Sequence, residues 1–569
     1  MKRHGPILIA GLALFSAVAI VVLITPLIVA NGLRTWVWYH ARQQGLAVAI
    51  GAIDAPLFRP VVLRDIHAHG SATSGFEWTL EVSRVEFGVD LRAIAARSDR
   101  RWIRDLSVDG ARLAVRKIAE HAGLEQRSPR SSFQQLFADT FRISHFDLRW
   151  QEGNTTIEMH DASLSASEVE TGSLAIREVA VASPLISKRF TELRGATTWQ
   201  NERLTLGAIT LTRGIDIDAI TADFSHVASH RIGFELNSDV FGGKVRGNVM
   251  EENRNGRQLW DVAATASEIS LAQMSAMLGW QQPATGAIRT CKFTFRGDAS
   301  DPLEATTSIW AEVNDFTFGD RTAETIMLGG SIYNRRVHLE QLYVKQQTNQ
   351  FTLSGDSPLP FRSEDPAHRE VNGDLFANIG DLDAFARLFG AGPGEYSGQL
   401  VVDGTMVFAE RKARAALTAT GEVQLLDARF PNAARVSADI SCNGGNATIR
   451  YADISSAAAD VGIWGEIAFT DLREVEAKLF PTAPLVDATK VPSGSCVRGL
   501  ALAAPAGADS NQPQITQIAI KGGLSQADWN VSLQTRGAEN IDVARTFRIC
   551  PATASADELR VVATASAGP

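Results

Sequence analysis

The chain has 569 residues, 45% hydrophobic, 7% aromatic and 21% charged, with a formal charge of −9. That hydrophobic content excludes a chain disordered throughout, and the acidic balance excludes a protein whose main work is gripping phosphate backbones of nucleic acid. Four cysteines exclude a disulfide-dense scaffold, and a mean hydropathy of −0.03 excludes a polytopic membrane protein.

From Ile7 to Ala30 run 24 residues without a charge. As a helix this is about 36 Å, enough for a hydrocarbon core of about 30 Å. Lys2, Arg3 and His4 precede it, and Trp36, Trp38 and Tyr39 follow where an aromatic belt would stand at the headgroups. A cleaved signal peptide is the competing reading. The run is too long for one, and Ile28 stands where a small residue is preferred, so a retained membrane anchor is expected. Charge does not orient it, because Lys2 and Arg3 on one side are matched by Arg34 and Arg42 on the other.

Beyond the anchor, alternation of period two dominates. Phe146, Leu148 and Trp150 alternate with Asp147 and Arg149, and Ile215 and Ile217 with Asp216 and Asp218. Phe293 and Phe295 alternate with Lys292, Thr294 and Arg296. Val337 and Leu339 alternate with His338 and Glu340, and Phe351 and Leu353 with Thr352 and Ser354. Each pattern predicts a strand with one apolar and one polar face. Helical periodicity is confined to Leu271–Leu278, Leu382–Phe389 and a poorer stretch at Phe133–Phe137. No βαβ rhythm appears, so the sheet is antiparallel and its apolar face must be covered by a second sheet, by closure, or by an apolar ligand.

Two segments repeat. Ser267–Gly279 aligns without gaps on Asn378–Gly390 at an offset of 111, placing Leu271 on Leu382, Met274 on Phe385, Met277 on Leu388 and Gly279 on Gly390. Each predicts a short amphipathic helix ending at a glycine. Downstream, at an offset of 110, Leu339 falls on Ile449, Val344 on Ile454, Phe351 on Val461, Leu353 on Ile463 and Gly355 on Gly465. A weaker third start is expected at Asn540–Phe547. Tandem units of this size favour a repeat architecture over independent globules. Linkers are expected at Ala122–Ser132 and in the Ala/Pro-rich stretch Pro481–Pro513.

Little points to chemistry. His67 and His69 share a strand face without an apparent third metal ligand, and Asp216 and Asp218 read as a wet strand face. Nucleophile-elbow, zinc-protease, P-loop and dinucleotide motifs are absent, so neither an enzyme nor a cofactor is expected.

The order Gly45–Gly70, Leu80–Ile94 and Ile103–Val115 after an anchor, followed by Asn378–Gly390, Gly394–Ala409 and Gly421–Phe430, resembles the AsmA-like family and its TamB relatives. That resemblance covers the chain to about residue 480. It implies a repeating β-groove, bridge-like lipid-transfer protein. Such a protein is held in a bacterial inner membrane with its N-terminus cytoplasmic, and carries phospholipid acyl chains through the periplasm. The chain is much shorter than TamB and has no recognisable outer-membrane docking segment.

The fold expected is mainly β: an N-terminal transmembrane helix followed by an elongated, curved antiparallel β-sheet groove with a few short helices. About 25 strands at roughly 4.8 Å spacing would run on the order of 120 Å. The organisation is an anchor over 1–32, β segments over 33–121 and 133–266, repeat units over 267–377 and 378–480, a linker over 481–513 and a C-terminal β segment over 514–569. Residues assigned to a lipid-contacting lining are Phe293, Phe295, Leu339, Phe351, Leu353, Ile449 and Ile463. In an oxidising periplasm Cys496 and Cys550 are the least remote pair for a disulfide, the alternative being separate buried thiols. The partners expected are phospholipid, the inner membrane and an outer-membrane protein or assembly complex. The alternative function is a structural factor for outer-membrane protein assembly, with apolar faces closed into sandwiches.

Overall fold

A computed structural model describes residues 30–549 apart from 40, 43–45, 57–58, 73–75, 90–102, 118–137, 185–186, 230, 255–256, 300, 360–369, 410–411, 426–433, 456–459, 498–499, 506–511, 524–528 and 538–541. Residues 1–29 of the expected anchor, the stretches Ala122–Ser132 and Phe133–Phe137, and Cys550 lie outside the described residues. Among the described residues no helix is long and apolar enough to cross a membrane. Two compact units are present: Met1–Ile269 with Phe293–Ala305, and Ser270–Lys292 with Thr306–Pro569. The strand Ala284–Asp298 contributes to both.

The first unit opens with α1, helical over residues 30–39. Thirteen consecutive strands follow, from Ala47–Asp54 to Arg257–Ser270. Each pairs with the next, antiparallel except where Ile103–Lys117 meets Thr140–Glu152 in parallel. Several hairpins close on two residues that both have positive φ, Asn201–Glu202 and Phe241–Gly242 among them, which matches the turn to the right-handed twist of the strands. Strand contacts run almost wholly between hydrogen-bonded neighbours, so the unit is a single layer.

The register lines up apolar side chains across this layer. Ile66, Val82, Ala111, Phe146, Ala162, Ile176 and Leu193 stand opposite one another in succession on seven strands. Nearer one edge run Val61, Phe87, Leu106, Phe141 and Ala166. A crease of positive-φ residues crosses the same strands at Asp65, Gly110, His145, Asp161, Glu192 and Ala208. Such bulges bend strands locally and re-aim their side chains. On the other face, cross-strand pairs such as Arg189–Glu178 (3.1 Å) and Lys244–Asp239 (2.7 Å) favour the same register, each worth only about 0–1 kcal/mol in water.

At Gly172 the layer rolls tightly. A Cβ there would stand 1.9 Å from the Ser165 carbonyl oxygen and 2.5 Å from Thr197 Oγ1. The Thr197 hydroxyl donates to that carbonyl across the intervening strand. Only glycine lets the two outer strands approach so closely. Gly172→Val is expected to lower the unfolding free energy of this unit by about 3 kcal/mol, as overpacking against backbone cannot relax by rotamer change. Urea denaturation followed by tryptophan fluorescence checks this.

The second unit carries eleven consecutive antiparallel strands from Thr306–Phe318 to Val475–Pro481. Three more long strands, Gln514–Gly522, Trp529–Arg536 and Asp542–Ile549, continue the antiparallel order. Its helices are α2 (Leu271–Leu278) and α3 (Leu382–Leu388). Ser270 caps α2 by accepting from the Gln273 amide, and Asp381 caps α3 by accepting from Ala384; Gly279 and Gly390 take positive φ beyond their ends. The repeat is visible in the defects of the ladder. Register slips between Gly329/Gly330 and Leu339/Leu342 recur 110 residues later between Asp439/Ile440 and Ile449/Ala452.

Two expectations are corrected here. The third repeat start expected at Asn540–Phe547 does not form a helix over its described residues. Asp542–Ile549 is a strand, because Ala544 and Thr546 stand in register with Gln534 and Ser532 while Phe547 is buried against Val531. Pro481–Pro513 is not a linker over its described residues. Leu485 and Val497 are buried with Ile515, Ile518, Val531, Leu533 and Phe547 in one cluster, and Val486–Asp487, Cys496–Val497 and Leu502–Ala503 form short bridges. Arg545 pairs with Asp487 at 2.5 Å and donates to the Thr489 and Val491 carbonyls, replacing ladder bonds that the segment lacks.

Candidate functional site

The candidate site is the apolar face of each layer. In the second unit Val344, Phe351, Ala377, Val402, Ala419, Ile440 and Ile449 stand in one row, and Leu328, Leu342, Leu353 and Leu375 in the next. Leu339 lies opposite Gly330 and Gly355, and Ile463 opposite Ala452, on the same face. Thus Leu339, Phe351, Leu353, Ile449 and Ile463 share one surface. Phe293 and Phe295 lie in the first unit. Their neighbour Arg296 reaches Asp261 at 2.7 Å on the polar side, so both phenylalanines point to the opposite, apolar one.

Among the described residues no sheet packs over these rows, and side chains remain wet that a closed core would hide. Phe234 is 41% exposed, Leu328 37%, Phe408 38% and Ile309 40%, all on the apolar side by register. These four were not singled out from the sequence; Leu328 precedes a Gly329–Gly330 bulge, and alternation breaks there. Cover is local. In the first unit Trp199 is 2% exposed, donates from its indole nitrogen to the Ala138 carbonyl at 3.2 Å, and meets Phe141 edge-on at 5.2 Å. Ala30 and Leu33 of α1 pack with Val61 and Leu63 at the first strands. In the second unit Phe385 of α3 rests 5.7 Å from Phe351, and the 485–503 segment covers the last strands. The α3 cover is hooked in place by Asn349, which donates to the Asp381 carbonyl and accepts from its amide.

His67 and His69 stand out of phase with Ile66, on the polar face. His67 lines an open pocket of about 250 Å³ with Asp65, Glu81, Arg112, His145 and Asp147. The Asp161 carboxylate, bonded to His145 Nδ1 at 2.9 Å, holds that imidazole above its ordinary pKa. Among the described residues no group of three or more candidate ligands is placed to hold a metal ion. Asp216 accepts from Thr210 at 2.6 Å on this wet face. Cys496 is disulfide-bonded, and Cys291 and Cys442 are free thiols. Cys442 stands on the apolar face opposite Leu417 and Ala447, where burial pushes its thiol pKa up.

Comparison with protein families, with curated proteins and with solved structures finds no match for the chain.

Proposed function

We propose that this is an AsmA-like lipid-carrying protein. In this reading the apolar run from Ile7 anchors it in a bacterial inner membrane, N-terminus cytoplasmic, and its periplasmic β faces carry phospholipid between inner and outer membranes. The observation that carries the reading is a broad apolar face on each unit, running across many strands, that the described residues cover only locally. Acyl chains supply the missing layer. Each methylene withdrawn from water is worth about 0.8 kcal/mol, whereas moving it from a bilayer onto an apolar sheet changes its surroundings little, so lipid can enter and slide without a deep trap. Trp36, Trp38 and Tyr39 on α1 are 45%, 51% and 54% exposed, which suits a headgroup interface beside the first strands.

The test is purification of the full chain in mild detergent followed by lipid mass spectrometry, with a photo-crosslinking residue at Leu353. Co-purifying phospholipid and a lipid adduct at that position are expected. A chain free of phospholipid, with a protein adduct at Leu353, would instead favour an assembly factor.

A further inference from the structure

Glu251 is out of place. It sits on the strand Gly243–Arg254, three residues before that strand ends, and stands opposite Ile232 on one neighbour and Trp260 on the other. Val249, two residues away on the same side, stands opposite Phe234 and Val262, so Glu251 shares the apolar face. Three carboxylates of these strands on the polar face have cations: Glu252 meets Arg231 at 3.1 Å, Asp239 meets Lys244 at 2.7 Å and Asp261 meets Arg296 at 2.7 Å. Glu251 makes no ion pair or hydrogen bond with the described residues, and burial alone pushes its carboxyl above the ordinary glutamate range. A half-buried carboxylate with no partner is costly to keep unless something outside the chain satisfies it.

Its neighbour narrows what that is. Cross-strand side chains in register stand about 5 Å apart at Cβ, so the Trp260 indole and the Glu251 carboxylate border one space. A carboxylate beside an aromatic face recognises an ammonium, by charge and by cation–π attraction together. The adjacent row of Phe234, Val249 and Val262 offers acyl contact, with Phe234 41% exposed.

We propose that Glu251 and Trp260 bind the ammonium of an amine-bearing phospholipid headgroup whose acyl chains lie along Phe234, Val249 and Val262. This rests on the lipid-carrying reading and adds headgroup selectivity to it. The test incubates the full-length chain with vesicles of equal parts phosphatidylethanolamine and phosphatidylglycerol, re-isolates it and measures bound lipid by mass spectrometry. The wild-type chain is expected to be enriched in phosphatidylethanolamine over the donor vesicles. Glu251→Gln, which keeps shape and removes charge, lowers that enrichment about three- to tenfold while total bound lipid stays constant. An unchanged headgroup ratio in Glu251→Gln, with lipid still bound, overturns the ammonium site and leaves the lipid-carrying reading standing. A wild-type chain that takes up neither lipid overturns both.

Discussion

Replacing Leu328 and Phe408 together by aspartate is expected to lower bound phospholipid at least tenfold without unfolding the second unit. Both side chains are already more than a third exposed, at 37% and 38%, so the folded chain loses little packing when they change. What changes is the surface offered to an acyl chain. A carboxylate facing hydrocarbon is opposed by about 2.5–3.5 kcal/mol on insertion scales, enough for that loss at one site. Val401→Asp is the matched control. Val401 is 43% exposed, but it stands opposite Asn378, one residue out of phase with Val402, and so lies on the polar face. Its substitution should leave bound lipid unchanged. Circular dichroism establishes that the strands persist in all three proteins, and lipid mass spectrometry reads the outcome. Equal lipid content in the double variant and the control would show that the apolar face is not where lipid sits.

The contrast between those two faces was legible in the sequence wherever alternation ran unbroken, as at Phe146–Trp150 and Phe351–Leu353. The paired helices were legible as well, since capping residues and terminal glycines leave local marks at Ser270, Gly279, Asp381 and Gly390. Bulges are harder to read. Leu339 and Leu342 share a face only because the ladder slips between them, and Leu328 stands beside a slip at Gly329/Gly330. Period two cannot show which face a residue takes after such a slip. Glu251 was hidden differently: in Met250–Glu251–Glu252 the two acids read as one polar end of a strand, although one faces each side. The 485–503 segment was missed because its order comes from the Arg545 side chain and from two-residue bridges, neither of which produces a hydrophobic period.

That segment leads to the second large effect. Phe547→Ala is expected to destabilise the C-terminal strands by about 3–5 kcal/mol, the range for removing a buried aromatic ring from a core that collapses only partly. Phe547 is 1% exposed, packed with Val531 at 1% and with Leu533 and Val497 at 0%, in a buried cluster completed by Leu485, Ile515 and Ile518. The ring also lies 5.0 Å beneath the Arg545 guanidinium, which holds Asp487 and the Thr489 and Val491 carbonyls. Removing the ring therefore loosens the arginine that fastens the 485–503 cover, so cover and strands should lose protection together. Hydrogen exchange across 475–549 reads this directly: faster exchange in both 485–497 and 514–549 is the expected pattern. Faster exchange in the strands alone would mean that the segment holds its place without the shared core. Because the open rows at Leu328 and Phe408 lie on other strands, the same variant should retain lipid there, which separates stability of the covered end from occupancy of the uncovered face.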